Sequence, residues 1–129
     1  MGDRGNITIR QDQALDRIFL YTHWGGSEIG SVLQRALGKR WRWDDPAYLA
    51  RIIFDELTDG KHGEETGYGI SLYAPDNEHL ILDVETTRAT VSARNLDGGR
   101  LGEAIIEWTF EEFLRLPDPN YAVMAGSRT

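Results

Sequence analysis

The sequence predicts an α+β fold in which two strands and two helices (ββαα) are followed by an antiparallel β-meander and a short C-terminal helix. Apolar residues alternate with polar ones near the start of the chain and again from residue 68, which is typical of strands. Between these regions apolar residues recur at helical spacing. With 129 residues, 40% of them hydrophobic, the chain can bury one core, so we expect a single layer of sheet packed on helices.

Two strands and a helix open the chain. Residues 7–10 alternate apolar and polar side chains, residues 17–23 are rich in β-branched and aromatic types, and a hairpin is expected to join them. In the first helix, Ser27 is the predicted N-cap, and apolar residues from Ile29 onward fall at i, i+3, i+4, i+7 and i+8. Gly38 suits the position just after the helix, where φ is often positive.

The second helix has clear signals at both ends. Asp45 can cap it, and Pro46 then occupies the first helical position, where its missing N–H does no harm. A broad apolar face runs through the helix from Tyr48 to Leu57. The pair Asp59-Gly60 is expected to end it.

The second half of the chain is predicted to be mostly sheet. Alternating patterns predict strands at 68–73, 80–85, 89–96 and 102–108. Residues 75–77 are expected to turn the chain, and Asp-Gly-Gly at 97–99 is a hairpin signal.

A short last helix is predicted to begin at Thr109. Thr109 and Glu112 match a Thr-x-x-Glu capping box, and Trp108 with Phe113 fits the hydrophobic staple that often accompanies one. The predicted organisation is a single α+β domain, residues 1–116, and a flexible C-terminal tail, residues 117–129.

Charge is unevenly distributed along the chain. Residues 1–63 hold nine Lys/Arg and nine Asp/Glu, whereas residues 64–129 hold five and twelve, so the second half carries the whole net charge of −7. A protein that binds duplex DNA is usually basic, so duplex DNA is not an expected partner. The chain has no cysteine, which excludes disulfides, thiolate metal sites and cysteine nucleophiles.

The composition favours a cytoplasmic protein. No apolar run approaches the roughly 20 residues that span a bilayer, and the first residues lack the apolar stretch of a signal peptide. We therefore expect no membrane partner. Four tryptophans and five tyrosines in so small a domain can leave aromatic surface exposed, which is compatible with a homo-oligomer.

The segment Tyr21-Thr22-His23-Trp24-Gly25-Gly26-Ser27 is the first candidate site, because it takes a predicted strand into a predicted helix through two glycines. Free N–H groups at a helix start bind phosphate or carboxylate, and glycines allow close approach. His23 can donate to an anion or transfer a proton, and Trp24 can stack on a base. The alternative is an ordinary loop and cap, with His23 a half-buried polar group and Trp24 part of the core.

Two further segments are candidates. In Lys39-Arg40-Trp41-Arg42-Trp43, cations alternate with flat aromatics, as on surfaces that bind nucleotides or single strands. The alternative is that the tryptophans pin this loop to the core while the charges face water. In the glycine-rich stretch 63–71, Glu64 and Glu65 can bind ribose hydroxyls or a metal, or simply form a solvated loop.

Catalytic and metal-binding motifs are not recognisable in the sequence. His23, His62 and His79 are far apart and match no zinc pattern, and no G-x-S-x-G is present. We therefore expect no metal and no cofactor, and we favour binding over catalysis.

Three stretches together resemble a family of small uncharacterised proteins of bacteria and their phages. They are Tyr21-x-His23-Trp24-Gly25-Gly26, Arg42-Trp43-Asp44-Asp45-x-x-Tyr48-Leu49-x-Arg51-Ile52-Ile53-Phe54 and Glu65-Thr66-Gly67-Tyr68-Gly69-Ile70-Ser71. The resemblance covers roughly residues 1–85 and implies no established activity, so it transfers no catalytic residue. A phage origin would imply a role in host–phage conflict, in the host cytoplasm.

The function favoured by the sequence is binding of a phosphorylated small molecule, above all a nucleotide or cyclic nucleotide signal that a phage protein would sequester. The expected ligand-binding residues are Tyr21, His23, Trp24, Gly25, Gly26, Ser27, Arg40, Trp41, Arg42, Trp43, Arg51, Glu65, Thr66 and Tyr68. One alternative is an inhibitor that binds a host protein through acidic residues of the second half, at positions 103, 107, 111 and 112. A second alternative is a nucleotide phosphodiesterase that uses His23.

Overall fold

A computed structural model describes residues 2–12 and 16–126, and in these the fold is α+β. One sheet of six strands has the spatial order β3-β2-β1-β4-β5-β6. The strands are β1 (Gly5–Arg10), β2 (Ile18–Thr22), β3 (Tyr68–Ser71), β4 (Ile81–Glu85), β5 (Thr90–Asp97) and β6 (Arg100–Thr109). Neighbouring strands are antiparallel except for β1 and β4, which are parallel at the centre of the sheet.

The meander predicted from residue 68 onward is only partly present. Strands β4, β5 and β6 form it, but β3 pairs with β2 at the edge of the sheet, where Tyr68 lies opposite Thr22. Residues 72–80 are too many for a tight hairpin, and they carry the chain past β2 and β1 to β4. The local alternation predicts each strand correctly but does not specify which strand it pairs with.

In the described part of the chain, four helices accompany the sheet, and the core lies between these helices and one face of the sheet. The helices are α1 (Ile29–Gly38), α2 (Pro46–Thr58), α3 (Phe110–Leu114) and α4 (Pro119–Gly126). The alternate residues of the two central strands that face this core are Ile7, Ile9, Leu82 and Val84. They pack with Leu33, Leu37, Leu49, Ile53 and Phe113, all of which are buried.

The predicted caps of α2 and α3 are confirmed. The Asp45 side chain accepts hydrogen bonds from the N–H groups of Ala47 and Tyr48. Thr109 and Glu112 form the reciprocal capping box, and the rings of Trp108 and Phe113 lie 5.3 Å apart as the staple requires.

Both ends of α1 differ from the prediction. A short 3-10 turn, Gly26–Glu28, precedes the helix, and Ser27 does not cap it because its hydroxyl donates to the Asp3 carboxylate instead. At the other end, Gly38 is still helical, and Arg40 is the residue with positive φ, at 59°. At the N-terminal end the expectation failed because Asp3, distant in sequence, takes the Ser27 hydroxyl, whereas at the C-terminal end the helix ends through local hydrogen bonds from the Lys39 and Arg40 N–H groups.

The predicted loose tail is instead mostly helix. Helix α4 packs on α1, with Val123 in the core and the Ser31 N–H donating to Asn120 Oδ1 over 2.7 Å. Gly30 permits this packing, because a Cβ there would lie 2.6 Å from the Pro119 carbonyl oxygen. Residues 127–129 of the predicted tail lie outside the described residues.

We expect Gly30→Ala to destabilise the protein by roughly 1–3 kcal/mol, because the added methyl group overpacks the contact between α1 and α4. Urea denaturation would measure this change. Gly38→Ala is the matched control in the same helix, since its Cβ would meet only the Leu114 side chain at 3.8 Å. That control should be neutral or stabilising by about 0.5 kcal/mol. Equal destabilisation by both substitutions would contradict this account.

Candidate functional site

The face of the sheet that points away from the helices is polar, yet its centre is buried. Thr8 on β1, Asp83 and Glu85 on β4, and Ser92 on β5 are all at most 3% exposed. The segment 72–80 crosses part of this face. This segment contacts β1 where Asn6 Nδ2 donates to the Asp76 carbonyl over 3.2 Å.

Asp83 binds three arginines at the centre of this face. Its carboxylate lies 3.1 Å from Arg10 Nε, 2.9 Å from Arg17 Nε and 3.5 Å from Arg94 Nε. Thr8 Oγ1 donates to the same carboxylate over 2.8 Å. We call Asp83, Glu85 and these three arginines the arginine cluster.

The arginine cluster carries an excess of positive charge. Its second carboxylate, Glu85, lies 3.7 Å from Arg10 Nη2 and 2.8 Å from Arg88 Nε at the rim. Burial lowers the pKa of Arg94, and the charges of Arg10 and Arg17 lower it further, while Asp83 opposes them. Three guanidinium groups therefore face two buried carboxylates, and this excess of one positive charge is partly offset by Glu107 near Arg94 and by Asp16 beside Arg17.

A groove of about 1070 Å³ opens beside the arginine cluster, between the segment after β3 and the tip of the β5–β6 hairpin. It is lined by Asp16, Arg17, Phe19, Leu72, Tyr73, Ala74, Gly99, Arg100 and Leu101. Arg17 thus belongs to both the cluster and the groove. The Tyr73 side chain is 81% exposed, and Arg100 forms no ion pair within residues 2–12 and 16–126.

None of the ligand-binding residues expected from the sequence lines this groove. The predicted anion site at the glycine turn is already occupied by Asp3. Its carboxylate accepts from the Ser27 N–H over 3.0 Å and from the Ser27 hydroxyl over 2.6 Å, and its other oxygen pairs with His79 Nε2. The Gly26 N–H donates to the Asp3 carbonyl over 2.7 Å. The carboxylate of this chain therefore takes the place that a ligand phosphate was expected to fill.

His23 is held by its neighbours rather than open to a ligand. Its Nδ1 lies 2.8 Å from the Tyr21 hydroxyl, and Gly2 packs so close to the ring that a Cβ there would meet Nε2 at 3.0 Å. Burial raises the pKa of Tyr21, so this hydroxyl keeps its proton at neutral pH and can donate to Nδ1. Trp24 is exposed and lies edge-on to the His23 ring.

Two of the three candidate segments, residues 21–27 and 63–71, are in contact, whereas residues 39–43 lie elsewhere. The His23 N–H donates to the Gly67 carbonyl over 2.9 Å, and Trp24 packs on Gly67. Tyr68 is partly buried against the core, while Glu65 and Thr66 are exposed.

Residues 39–43 lie at the opposite end of α1 from the glycine turn. A helix of 10 residues separates them by about 15 Å. Two of the three cations there have carboxylate partners, Lys39 with Glu56 and Arg40 with Glu111, and Arg51 on α2 pairs with Asp55. The remaining cation, Arg42, stacks on Tyr48. These ion pairs neutralise most of the positive charge that the nucleotide interpretation required.

The two tryptophans of this segment have different roles. Trp43 donates to the Leu37 carbonyl over 3.0 Å and packs on Phe110, so it anchors the loop to the core. Trp41 is 58% exposed beneath the Lys39 ammonium group.

The expected acidic surface is also largely engaged within the protein. Glu107 pairs with Arg88, Glu111 with Arg40, and Glu112 closes the capping box. Glu103 is exposed on β6.

Sequence reasoning missed the arginine cluster altogether. The available signal was the presence of Arg10, Asp83 and Glu85 inside strands that are otherwise strongly apolar on alternate positions. Such a pattern usually marks a solvated face. Only the pairing of β1 with β4 shows that these charges meet one another.

Neither metals nor membranes gain support from the described residues. Within residues 2–12 and 16–126, no three His, Asp or Glu side chains are grouped as a metal site requires. No helix in this part of the chain has both the length and the apolar character to cross a bilayer.

Comparison of the chain with family models, curated proteins and solved structures found no match, so the family resemblance stays a prediction.

We expect Asp83→Asn to destabilise the fold by roughly 3–5 kcal/mol, because it leaves one buried and two largely buried guanidinium groups without their shared counter-charge. Urea denaturation monitored by tryptophan fluorescence would measure the loss. The matched control is Asp55→Asn, which breaks an exposed pair with Arg51 and should cost at most about 1 kcal/mol. Similar losses in the two variants would show that the cluster is not a coupled unit.

The Asp3 contact predicts a pH-dependent stability. Burial raises the pKa of Asp3, but hydrogen bonds from Ser27 and the contact with His79 outweigh it, and the pKa lies below the ordinary 3.8. A carboxyl whose pKa is lowered by folding stabilises the protein above its unfolded pKa, and this stabilisation is lost as the pH falls through the folded pKa.

Accordingly, Asp3→Asn should lower the free energy of unfolding by about 1 kcal/mol at pH 7, and this deficit should shrink below pH 4. Thermal unfolding of both proteins between pH 3 and pH 7 measures it. Asp44→Asn, at an exposed carboxylate, serves as the control and should change little at either pH. If Asp3→Asn destabilised the protein equally at all pH values, the lowered pKa of Asp3 would not be the cause.

Proposed function

We propose that this protein binds a phosphorylated small molecule, most simply a nucleotide, in the groove beside the arginine cluster. The observation that carries the proposal is the combination of Arg17 and Arg100 with an exposed aromatic side chain, Tyr73, in one groove. This places the proposed site on the face of the sheet opposite the helices. It does not include the glycine turn, where Asp3 takes the anion position.

The arginine cluster supports recognition of an anion. Asp83 fixes the Arg17 side chain, so this guanidinium group loses little conformational entropy when a phosphate binds. The Nε and Nη2 groups of Arg17 already donate to Asp83, so Arg100 is the arginine whose planar group can donate two parallel hydrogen bonds to a phosphate. Arg100 sits at the hairpin tip and is available to a second charged group.

The apolar lining supports recognition of a ring. Tyr73, Phe19 and Leu72 lie in the same groove as the two arginines. Aromatic side chains stack on nucleobases with little regard to sequence, typically contributing about 1–3 kcal/mol per base. Its volume of about 1070 Å³ is slightly larger than that of typical small-molecule sites, which are roughly 300–1,000 Å³.

Among the three functions considered from the sequence, the geometry supports binding best. The phosphodiesterase hypothesis rests on His23, which is engaged by Tyr21 and does not line the groove. The inhibitor hypothesis rests on acidic residues that mostly pair within the chain. If residues 1–85 belong to the phage proteins that they resemble, sequestration of a nucleotide signal in the host cytoplasm is the role we propose.

The proposal predicts that Arg100→Ala and Tyr73→Ala each weaken nucleotide binding about tenfold, because each removes a contact of roughly 1–2 kcal/mol. A panel of mono-, di- and cyclic nucleotides would first be tested by thermal shift, since a ligand at 100 times its dissociation constant adds roughly 2.7 kcal/mol of stability. Calorimetry on the best ligand then compares the variants.

The matched controls are Arg42→Ala and Trp41→Ala, a cation and an exposed aromatic residue at the far end of α1. Both should bind as the wild type does. A flat thermal-shift panel would overturn the proposal. A loss of affinity in the controls but not in the groove variants would indicate that the ligand binds at residues 39–43 instead.

A further inference from the structure

Strand β3 forms an unprotected edge of the sheet. It pairs with β2 on one side, and no strand within residues 2–12 and 16–126 lies on its other side, so its outward N–H and C=O groups can pair with another chain. Side chains in and just after this strand are open to water, with Ile70 at 62%, Leu72 at 74% and Tyr73 at 81% exposure. An exposed, apolar edge of this kind promotes pairing with a further strand.

The opposite edge of the sheet is protected by charge. Strand β6 carries Arg100, Glu103 and Glu107 along its length. In contrast, residues 67–75 contain no Lys, Arg, Asp or Glu, in a chain where 27% of residues are charged. Only one of the two edges therefore lacks the charges that usually prevent strands from associating.

We propose that two copies of this chain pair through their β3 strands, antiparallel about a two-fold axis, into one continuous sheet. Charge indicates where on the surface two copies can meet. Each chain carries a net charge of −7, so two copies repel wherever their acidic surfaces meet, and an uncharged edge is where they can approach. A two-fold axis also requires an interface that matches itself, which an antiparallel strand pair does.

The size of the contact predicts a weak dimer. Pairing covers at most the exposed surfaces of Ile70, Leu72 and Tyr73, roughly 150 Å² each or about 900 Å² for two copies, and a copy whose Tyr73 is covered in this way cannot also stack that ring on a ligand. The paired backbone brings the total close to the lower end of specific interfaces, roughly 1,200 Å². We therefore expect dissociation in the micromolar range rather than a permanent dimer.

Ile70 separates this proposal from ligand binding. Leu72 and Tyr73 lie at both the edge and the groove, whereas Ile70 belongs to the edge alone. A substitution at Ile70 therefore tests association without altering the groove.

The test is sedimentation velocity of the full chain from about 1 to 500 µM. The wild type should pass from monomer to dimer over this range, and Ile70→Lys should weaken the dimer at least tenfold by placing two ammonium groups near the axis. The matched control is Ile105→Lys on the β6 edge, also an exposed isoleucine, which should leave the dimer intact.

Hydrogen exchange gives a second readout that does not depend on a variant. The outward amides of β3 should exchange more slowly at 500 µM than at 1 µM, while those of β6 should not change. A wild type that stays monomeric at 500 µM overturns the proposal, as does a dimer that Ile70→Lys leaves intact. Loss of the dimer in Ile105→Lys alone would show that the dimer interface lies at β6 and not at β3.

Discussion

The carboxylate of Asp83 is the point on which the polar half of this structure depends. It lies on a central strand, is 1% exposed, and is the shared partner of three arginines from β1, β5 and the residue before β2. Burying any of these charges alone would be very unfavourable, and only their mutual contact makes the arrangement stable. The same contact fixes the direction of Arg17, and through it the charge of the groove.

The parts of the fold that local signals specify were predictable. The caps at Asp45 and Thr109 and the strand β1 follow from residues within a few positions of one another. In two of the places where the prediction failed, the deciding contact came from far along the chain. Asp3 takes the Ser27 hydroxyl, and α1 recruits residues 119–126 into a helix whose own pattern is weak.

At the candidate site, too, local sequence patterns did not reveal contacts between residues that are far apart in the chain. Alternation in β1 and β4 correctly places Arg10, Asp83 and Glu85 on the face away from the helices, but it says nothing about what covers that face. The glycine turn does have the geometry that binds anions, as its contacts with Asp3 show. The sequence therefore indicated an anion site at this turn, but it did not indicate that Asp3, 24 positions before Ser27, occupies it.

The central pairing of β1 with β4 also bears on how the chain reaches its native state. Thr8 and Asp83 are 75 residues apart in sequence, so this step closes a long loop and should follow the local hairpins β1–β2 and β5–β6. Until then, each hairpin presents a strand whose free edge bears ionised groups rather than a purely apolar stripe. Such an edge resists sticking to other chains. Arg10 on β1 and Arg94 on β5, which the native fold brings to Asp83, are therefore expected to oppose association with other chains until β1 pairs with β4.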